Sequence, residues 1–209
     1  MNDNITPNGL VFVTGASGHL GSNLVRQLLD KGYEVRCLVR KDTRGIDGLQ
    51  CETVIGDVTD SASLREAVRG CDIVFHCAAA IGVEGKDAPM MMKINVEGTR
   101  NMLRAAEDEG VRRFIHFSSL HALCMHPTSD PLHEDRPLEL DPEAHPYNHT
   151  KALAEQAVLE ACERGLSATI LSPTGILGPW DTKPSRMGEV LDDFARGAMP
   201  ALLRTGFDW

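Results

Sequence analysis

The sequence predicts an α/β fold, a doubly wound parallel sheet with helices on both of its faces. Three observations predict it. Short apolar runs alternate with longer stretches of helical periodicity, the pattern of βαβ units. A glycine-rich turn follows the first apolar run directly. At 209 residues, 42% of them apolar, the chain can bury one large core without disulfide or metal support.

The elements follow in order. Leu10-Val-Phe-Val13 is a continuous apolar run, as a strand covered on both faces needs. Leu20, Leu24, Leu28 and Leu29 then recur at helical spacing, and Gly32 closes that helix. Tyr33 to Val39 reads as a second strand and Glu52-Thr-Val-Ile55 as a third. Asp60 to Gly70 reads as a helix with Asp60 or Ser61 at its N-cap. Asp72 to Cys77 is a fourth strand, and Met90 to Glu109 one long amphipathic helix stopped by Gly110. Phe114-Ile-His-Phe117 gives a fifth strand, residues 147–164 a helix, and Ala168-Thr-Ile-Leu171 a sixth strand. Residues 119–146 are rich in proline and histidine without periodicity, and a loop of that length is expected to be functional or disordered. Gly188 to Met199 reads as a last helix, before an apolar stretch over Ala201 to Trp209.

Composition narrows the function. Lys plus Arg number 21 against 30 Asp plus Glu, a net charge of −9 with no basic run, which argues against nucleic acid as a partner. No stretch approaches the roughly 20 apolar residues of a membrane span, and Met1-Asn-Asp-Asn4 lacks the features of a signal peptide. A cytoplasmic protein acting on a small-molecule substrate is expected. The six cysteines stand singly without a C-x-x-C pair, and most read as buried thiols.

Gly15-Ala16-Ser17-Gly18-His19-Leu20-Gly21 lies between the first strand and the first helix. Glycine is needed there because the backbone must turn sharply, approach a pyrophosphate and pack closely on the sheet. Amides of the helix start then face the phosphates. With Thr14 ahead of it, the G-x-x-G-x-x-G segment resembles the opening of the extended short-chain dehydrogenases/reductases, the NAD-dependent epimerase/dehydratase family. The resemblance implies a Rossmann fold that binds NAD or NADP and covers about residues 9–209. It also implies a further strand and a smaller C-terminal substrate domain. The chain is therefore expected to lack that domain or to hold only its start, over residues 180–209.

Arg40 ends the second strand, with Lys41 and Arg44 nearby. An NAD enzyme places an acid there for the ribose 2′-hydroxyl, whereas an arginine suits a 2′-phosphate. NADP is the expected cofactor and NAD the alternative. Gly56-Asp57-Val58 matches the family segment in which Asp57 meets the adenine amino group and Val58 packs the ring. A helix-capping aspartate is the other reading of Asp57. In His76-Cys-Ala-Ala-Ala80, the small side chains of Ala78 and Ala79 suit a backbone that lies along a cofactor. Asn95 in Asn95-Val-Glu-Gly-Thr99 is expected to be structural.

Tyr147 and Lys151 stand four apart on a predicted helix, so they share a face. A free phenol has a pKa near 10, and acid–base work at neutral pH needs it lowered by about three units. An adjacent ammonium and the charge of an oxidised nicotinamide could supply that in a partly dry site. Lys151 would also hold the nicotinamide ribose. Ser119, aligned through Phe114-Ile-His-Phe117-Ser-Ser, matches the family's catalytic serine, with Ser118 as the fallback and a plain strand-end turn as the other reading. In Ser172-Pro-Thr-Gly-Ile-Leu-Gly-Pro179, Pro173 and Ile176 match the segment that walls the nicotinamide. Trp180-Asp-Thr-Lys-Pro-Ser185 is like the dihydroflavonol-reductase-like members. His116, His121 and His126 lack a coherent third ligand, so metal catalysis is not expected; the histidines read as structural or solvent-facing, with His121, two residues past Ser119, facing the substrate as the other reading.

The resulting expectation is an NADP-dependent oxidoreductase that reduces a carbonyl or oxidises a secondary alcohol. Two alternatives stand beside it: a nucleotide-sugar epimerase or dehydratase that retains NAD, and a non-catalytic NADP-binding sensor. The resemblance further implies a homodimer through the helices of residues 90–109 and 147–164.

Overall fold

The computed structural model describes residues 9–82 and 87–199. Met1-Asn-Asp-Asn4 and Ala201 to Trp209 lie outside the described residues. Six strands form one parallel sheet in the order β3-β2-β1-β4-β5-β6: β1 (Leu10–Thr14), β2 (Glu34–Val39), β3 (Glu52–Ile55), β4 (Ile73–His76), β5 (Arg113–Phe117) and β6 (Ala168–Leu171). The chain starts in the middle at β1, winds out to β3, then returns to β4 on the other side of β1. That reversal opens a crevice at the carboxyl ends of β1 and β4, where such sheets take their ligands.

Why the strands are apolar throughout is visible in β1. Phe12 points into one core layer with Leu64, Val68, Met102, Phe114 and Val158, while Val11 and Val13 point into the other with Val25, Val35 and Ile73. The first layer is closed by helices α2 (Ser61–Val68), α4 (Gly98–Asp108) and α5 (Pro146–Glu163), the second by α1 (His19–Asp30). Asp60 caps α2 by accepting from the Ala62 amide at 3.2 Å, and Gly32, at φ +83°, ends α1.

Three expectations are corrected. The stretch 90–109 is not one regular helix: a short α3 (Ala88–Met91) runs into a π-helical segment, Met92–Glu97, and only then into α4. The last helix is α6 (Arg186–Ala195), which starts two residues earlier than the sequence suggests because Ser185 caps it at the Gly188 amide. Of the cysteines, all of them free, only Cys37 and Cys71 are buried, and Cys162 is exposed on α5.

The proline-rich loop after β5 is folded. Arg136 is buried within it and donates to the carbonyls of Cys124, Pro127 and Asp130, while Leu123 pairs with Leu138 across the loop. One guanidinium with five donors in a fixed fork can hold three backbone carbonyls that have no strand to join.

Candidate active site

The glycine turn joins β1 to α1. Gly15 sits at φ +67°, and a Cβ there would lie 2.7 Å from the carbonyl carbon of Cys77, so the turn at β1 and the end of β4 touch backbone to backbone. A Cβ on Gly21 would strike the Gly15 carbonyl, since α1 drops directly onto the turn. Gly18 is the N-cap of α1, and no side chain accepts from that helix's first amides, nor is its first turn acidic. Open amides at the positive end of a 12-residue helix fit the pyrophosphate of a dinucleotide. Ser17, His19 and Leu20 stand around the same turn and face the clefts described next.

A cleft of about 360 Å³ runs from Gly15, Ser17 and Gly18 past Arg40 to Asp57 and Val58, with Ala78 and Ala79 along its wall. Asp57 caps a turn and lines the cleft, and the cap of α2 falls to Asp60. Its Oδ1 accepts from the Thr59 amide at 2.9 Å and hydroxyl at 2.8 Å, a turn-capping role, while its Oδ2 is 3.9 Å from Arg40 and faces the cleft. Burial pushes its carboxyl up, but the Thr59 bonds and the Arg40 charge more than offset this and leave it lowered. Val58 is buried against Gly98 of α4, where any Cβ would strike it.

The alanine wall is held by polar groups that no sequence spacing connects. Ala78 N–H donates to Thr14 Oγ1, which is 2.8 Å from His76 Nδ1; His76 Nε2 is 3.0 Å from Thr99 Oγ1, which donates to the Asn95 carbonyl. Asn95 itself brackets Ala80, accepting its N–H at 2.7 Å and donating to its carbonyl at 3.0 Å, and reaches Thr150 on α5. His76 is neutral, its pKa pushed down to about 3 by burial and then by Lys151. Beside it His116 is stacked at 5.5 Å between ring centroids and is held well below the usual histidine range by burial, then by Lys151 and His76.

A second cleft of about 830 Å³ adjoins the glycine turn and brings together Ser119, Tyr147, Lys151, Pro173 and Ile176 with Gly15, Gly18, His19, Leu20, Gly21 and Ala79. Ser119 Oγ accepts from the His121 amide at 3.3 Å, capping the turn after β5, and lies beside the Tyr147 phenol, whose ionised form it favours. Lys151 is buried and donates from Nζ to the Phe117 carbonyl at 2.7 Å; burial lowers its pKa to about 8 against the pull of Glu155. Ser118 points elsewhere, donating to Glu155 at 2.6 Å. The two serines thus have different neighbours: Ser118 is tied to the Glu155 carboxylate, and Ser119 lies beside Tyr147. Neither that Glu155–Ser118 bond nor the Lys151–Phe117 bond carries a sequence signal, because each spans more than thirty residues between a strand end and a helix.

The protein's own side chains do not lower the Tyr147 phenol: burial raises it, and the Ser119 hydroxyl only pulls it part of the way back. The Lys151 ammonium donates to the Phe117 carbonyl and is not among the groups that shift the phenol.

His121 lies edge-on to Tyr147, 6.3 Å between ring centroids, while His116 is walled into the core. Among the described residues no group of three or more His, Cys, Asp and Glu side chains comes together as a metal site. After β6 the chain crosses α1 as a strap: His19 Nε2 is 3.1 Å from the Gly178 carbonyl, Asn23 donates to Pro179 at 2.7 Å, and the Arg26 guanidinium lies 3.9 Å from the centre of the Trp180 ring.

A sequence profile for the NAD dependent epimerase/dehydratase family matches residues 11–206. The sterol demethylase protein B of Methylococcus capsulatus is 39% identical over 95% of this chain and 61% of its own length. A putative dihydroflavonol 4-reductase of Synechocystis is 37% identical over 94% of this chain and 58% of its own. Among solved structures, the dTDP-glucose 4,6-dehydratase DesIV of Streptomyces venezuelae, with NAD bound, superposes with a TM-score of 0.78 at 26% identity, over 90% of this chain and 62% of that one. The chain thus spans about 60% of the length of these relatives.

Proposed function

We propose that this chain, which belongs to the NAD-dependent epimerase/dehydratase family, is the cofactor-binding and proton-transfer part of an NADP-dependent reductase of ketones or aldehydes. The observation that carries the reading is one cleft in which the Ser119–Tyr147 hydroxyl pair and the Lys151 ammonium stand beside an uncapped glycine-turn helix. A bound nicotinamide supplies the carbon that gives or takes hydride. Gly15, Ser17, Gly18, His19, Leu20 and Gly21 surround the pyrophosphate, with Asp57, Val58, Ala78 and Ala79 along the adenosine half and Pro173 and Ile176 walling the nicotinamide. Arg40 takes the 2′-phosphate. Ser119 Oγ orients the substrate oxygen, and Tyr147 Oη passes its proton to that oxygen.

Burial holds the Tyr147 phenol protonated at neutral pH, the form that a carbonyl reduction needs. Lys151 binds the nicotinamide ribose hydroxyls, and its charge steadies the phenolate once the proton has left. Oxidation of an NADPH solution by a panel of ketones and aldehydes tests the reading. Tyr147→Phe is expected to lower kcat by about a thousandfold with the fold intact; a variant as active as the parent overturns the role of Tyr147.

The NAD-bound dehydratase of similar fold favours one second reading, a nucleotide-sugar epimerase or dehydratase that keeps NAD through its cycle. NAD released from the purified protein on denaturation would establish it over the reductase. A homodimer through α4 and α5 belongs to the same proposal and is read by sedimentation equilibrium. No helix among the described residues is long and apolar enough to cross a membrane, and the reading needs neither membrane nor nucleic acid.

A further inference from the structure

Lys183 is one of the chain's cations that neither the glycine turn nor the catalytic group accounts for. It sits on the strap between β6 and α6, more than 140 residues from Arg40, yet both line the cleft that Ser17 and Asp57 border. Its ammonium is 2.7 Å from Asp42 Oδ2. Asp42 is itself fixed by Arg44, which donates to its two carboxylate oxygens at 3.0 and 2.9 Å. The strap is tied at several points: the Gly178 carbonyl lies 3.1 Å from His19 Nε2 and the Pro179 carbonyl accepts from Asn23 of α1, the Arg26 guanidinium lies over the Trp180 ring, and Asp181 accepts from the Ser185 amide and hydroxyl at 2.7 Å each.

We propose that Lys183 is a specificity-determining residue of this site, a second cation for a phosphate monoester on the adenosine ribose. The inference rests on the NADP reading above and adds to it a residue from a distant stretch of the chain that lines the same cleft. Arg40 and Lys41 come from the end of β2, and Lys183 comes from the strap. Arg40, 71% exposed and 3.9 Å from Asp57, shares its charge with a carboxylate, as Lys183, 60% exposed, does with Asp42, so a phosphate is answered by the two cations together. Lys183 supplies the charge that Asp57 takes away. Asp42 keeps that ammonium at the cleft mouth without neutralising the cluster, since Arg44 already answers its charge. An ammonium has three donors, so Lys183 can hold Asp42 and a phosphate oxygen together.

The same arrangement predicts discrimination. A ribose 2′-hydroxyl offers Lys183 only a neutral acceptor, whereas a 2′-phosphate offers a dianion between two cations, where hydrogen bonds are about twice as strong. Affinities of the full chain for NADPH, NADH, 2′,5′-ADP and 5′-AMP, measured by calorimetry, test this without any turnover. Lys183→Gln is expected to weaken NADPH and 2′,5′-ADP about tenfold and to leave NADH and 5′-AMP within about twofold. Arg40→Gln serves as the reference for the NADP reading. If Arg40→Gln removes the preference for 2′,5′-ADP and Lys183→Gln does not, the NADP reading stands and the role of Lys183 is overturned. An equal loss for all four ligands also overturns it, because Lys183 would then merely brace the strap. A parent chain that binds 5′-AMP as well as 2′,5′-ADP overturns both. Lys183 is largely exposed, so the variant keeps its fold, which an unchanged melting temperature checks.

Discussion

Burying the Lys151 ammonium holds its pKa at about 8, below the roughly 10.4 of a free lysine, so the unfolded chain binds that proton more tightly than the folded one. At neutral pH both states are protonated and the cost of burial, on the order of 3 kcal/mol, is present in full. As pH rises from 8 towards 10 the folded state is neutral first, and the cost disappears. Lys151→Met is therefore expected to stabilise the chain by about 2 kcal/mol at pH 7, after loss of the bond to Phe117, while it removes activity. Urea midpoints at pH 7 and 10 check this, and the gain should shrink at the higher pH. The buried imidazoles act at the acid end. His76 at about 3, and His116 well below its usual range, stay neutral in the fold but charge in the unfolded chain below about pH 6.5. Stability that is present above that pH is lost as pH falls, at up to about 1.4 kcal/mol per pH unit for each. Neither ring nitrogen of His116 has a hydrogen-bond partner. His116→Leu is thus expected to raise stability at pH 7 and to make urea midpoints between pH 6.5 and 4.5 fall less steeply; an unchanged slope contradicts the assignment. In the sequence, His116 stood with His121 and His126 without a coherent third metal ligand. The sequence could not show which one was an orphan, because that depends on what packs around β5.

Among the elements, the six strands were legible because each is apolar on both faces or ends at a turn residue, and β3 and β6 fall where their runs begin and end. The 90–109 stretch was not. Its apolar spacing reads as one helix, but the π-helical segment Met92–Glu97 widens the coil where Asn95 turns to bracket Ala80 and reach Thr150. A π-segment inside a helix often marks a functional site, and here it fixes the wall of the cofactor cleft. Asn95→Ala leaves both polar groups of Ala80 without that partner and is expected to destabilise by about 1–3 kcal/mol. It should also weaken NADPH binding about tenfold, as calorimetry would read; a variant with unchanged affinity contradicts the bracing role. The loop after β5 shows the same limit. Pro and His content marked it as unusual, but the organising residue is Arg136, whose three carbonyl partners lie 6 to 12 positions away in an irregular path. Arg136→Met is expected to open residues 124–138 to limited proteolysis while the sheet stays folded. Protection equal to the parent's would overturn that role.

Across the whole molecule, the glycine turn, Arg40, Asp57 and the Ser119–Tyr147–Lys151 set could be read because each stands at a strand end or on one helix face, positions that local spacing fixes. The strap could not, since its bonds from Gly178, Pro179 and Lys183 to α1 and Asp42 depend on how a segment after the last strand recrosses the first helix. At the far end of the strap, α6 buries none of its residues among those described, and Val190, Leu191 and Phe194 form an exposed apolar stripe. A stripe of that kind draws hydrophobic dye and self-association. Leu191→Glu with Phe194→Glu is expected to lower dye binding severalfold and leave NADPH affinity unchanged; a parallel loss of affinity would place α6 in the cofactor site. All of these readings converge on the place where a nicotinamide meets Tyr147. The most direct measurement is a crystal structure of the chain with NADP⁺. The pyrophosphate is expected on the α1 amides, the 2′-phosphate between Arg40 and Lys183, and the nicotinamide ribose on Lys151 with the ring beside Tyr147 and Ser119. A dinucleotide bound with its nicotinamide away from Tyr147 would contradict it.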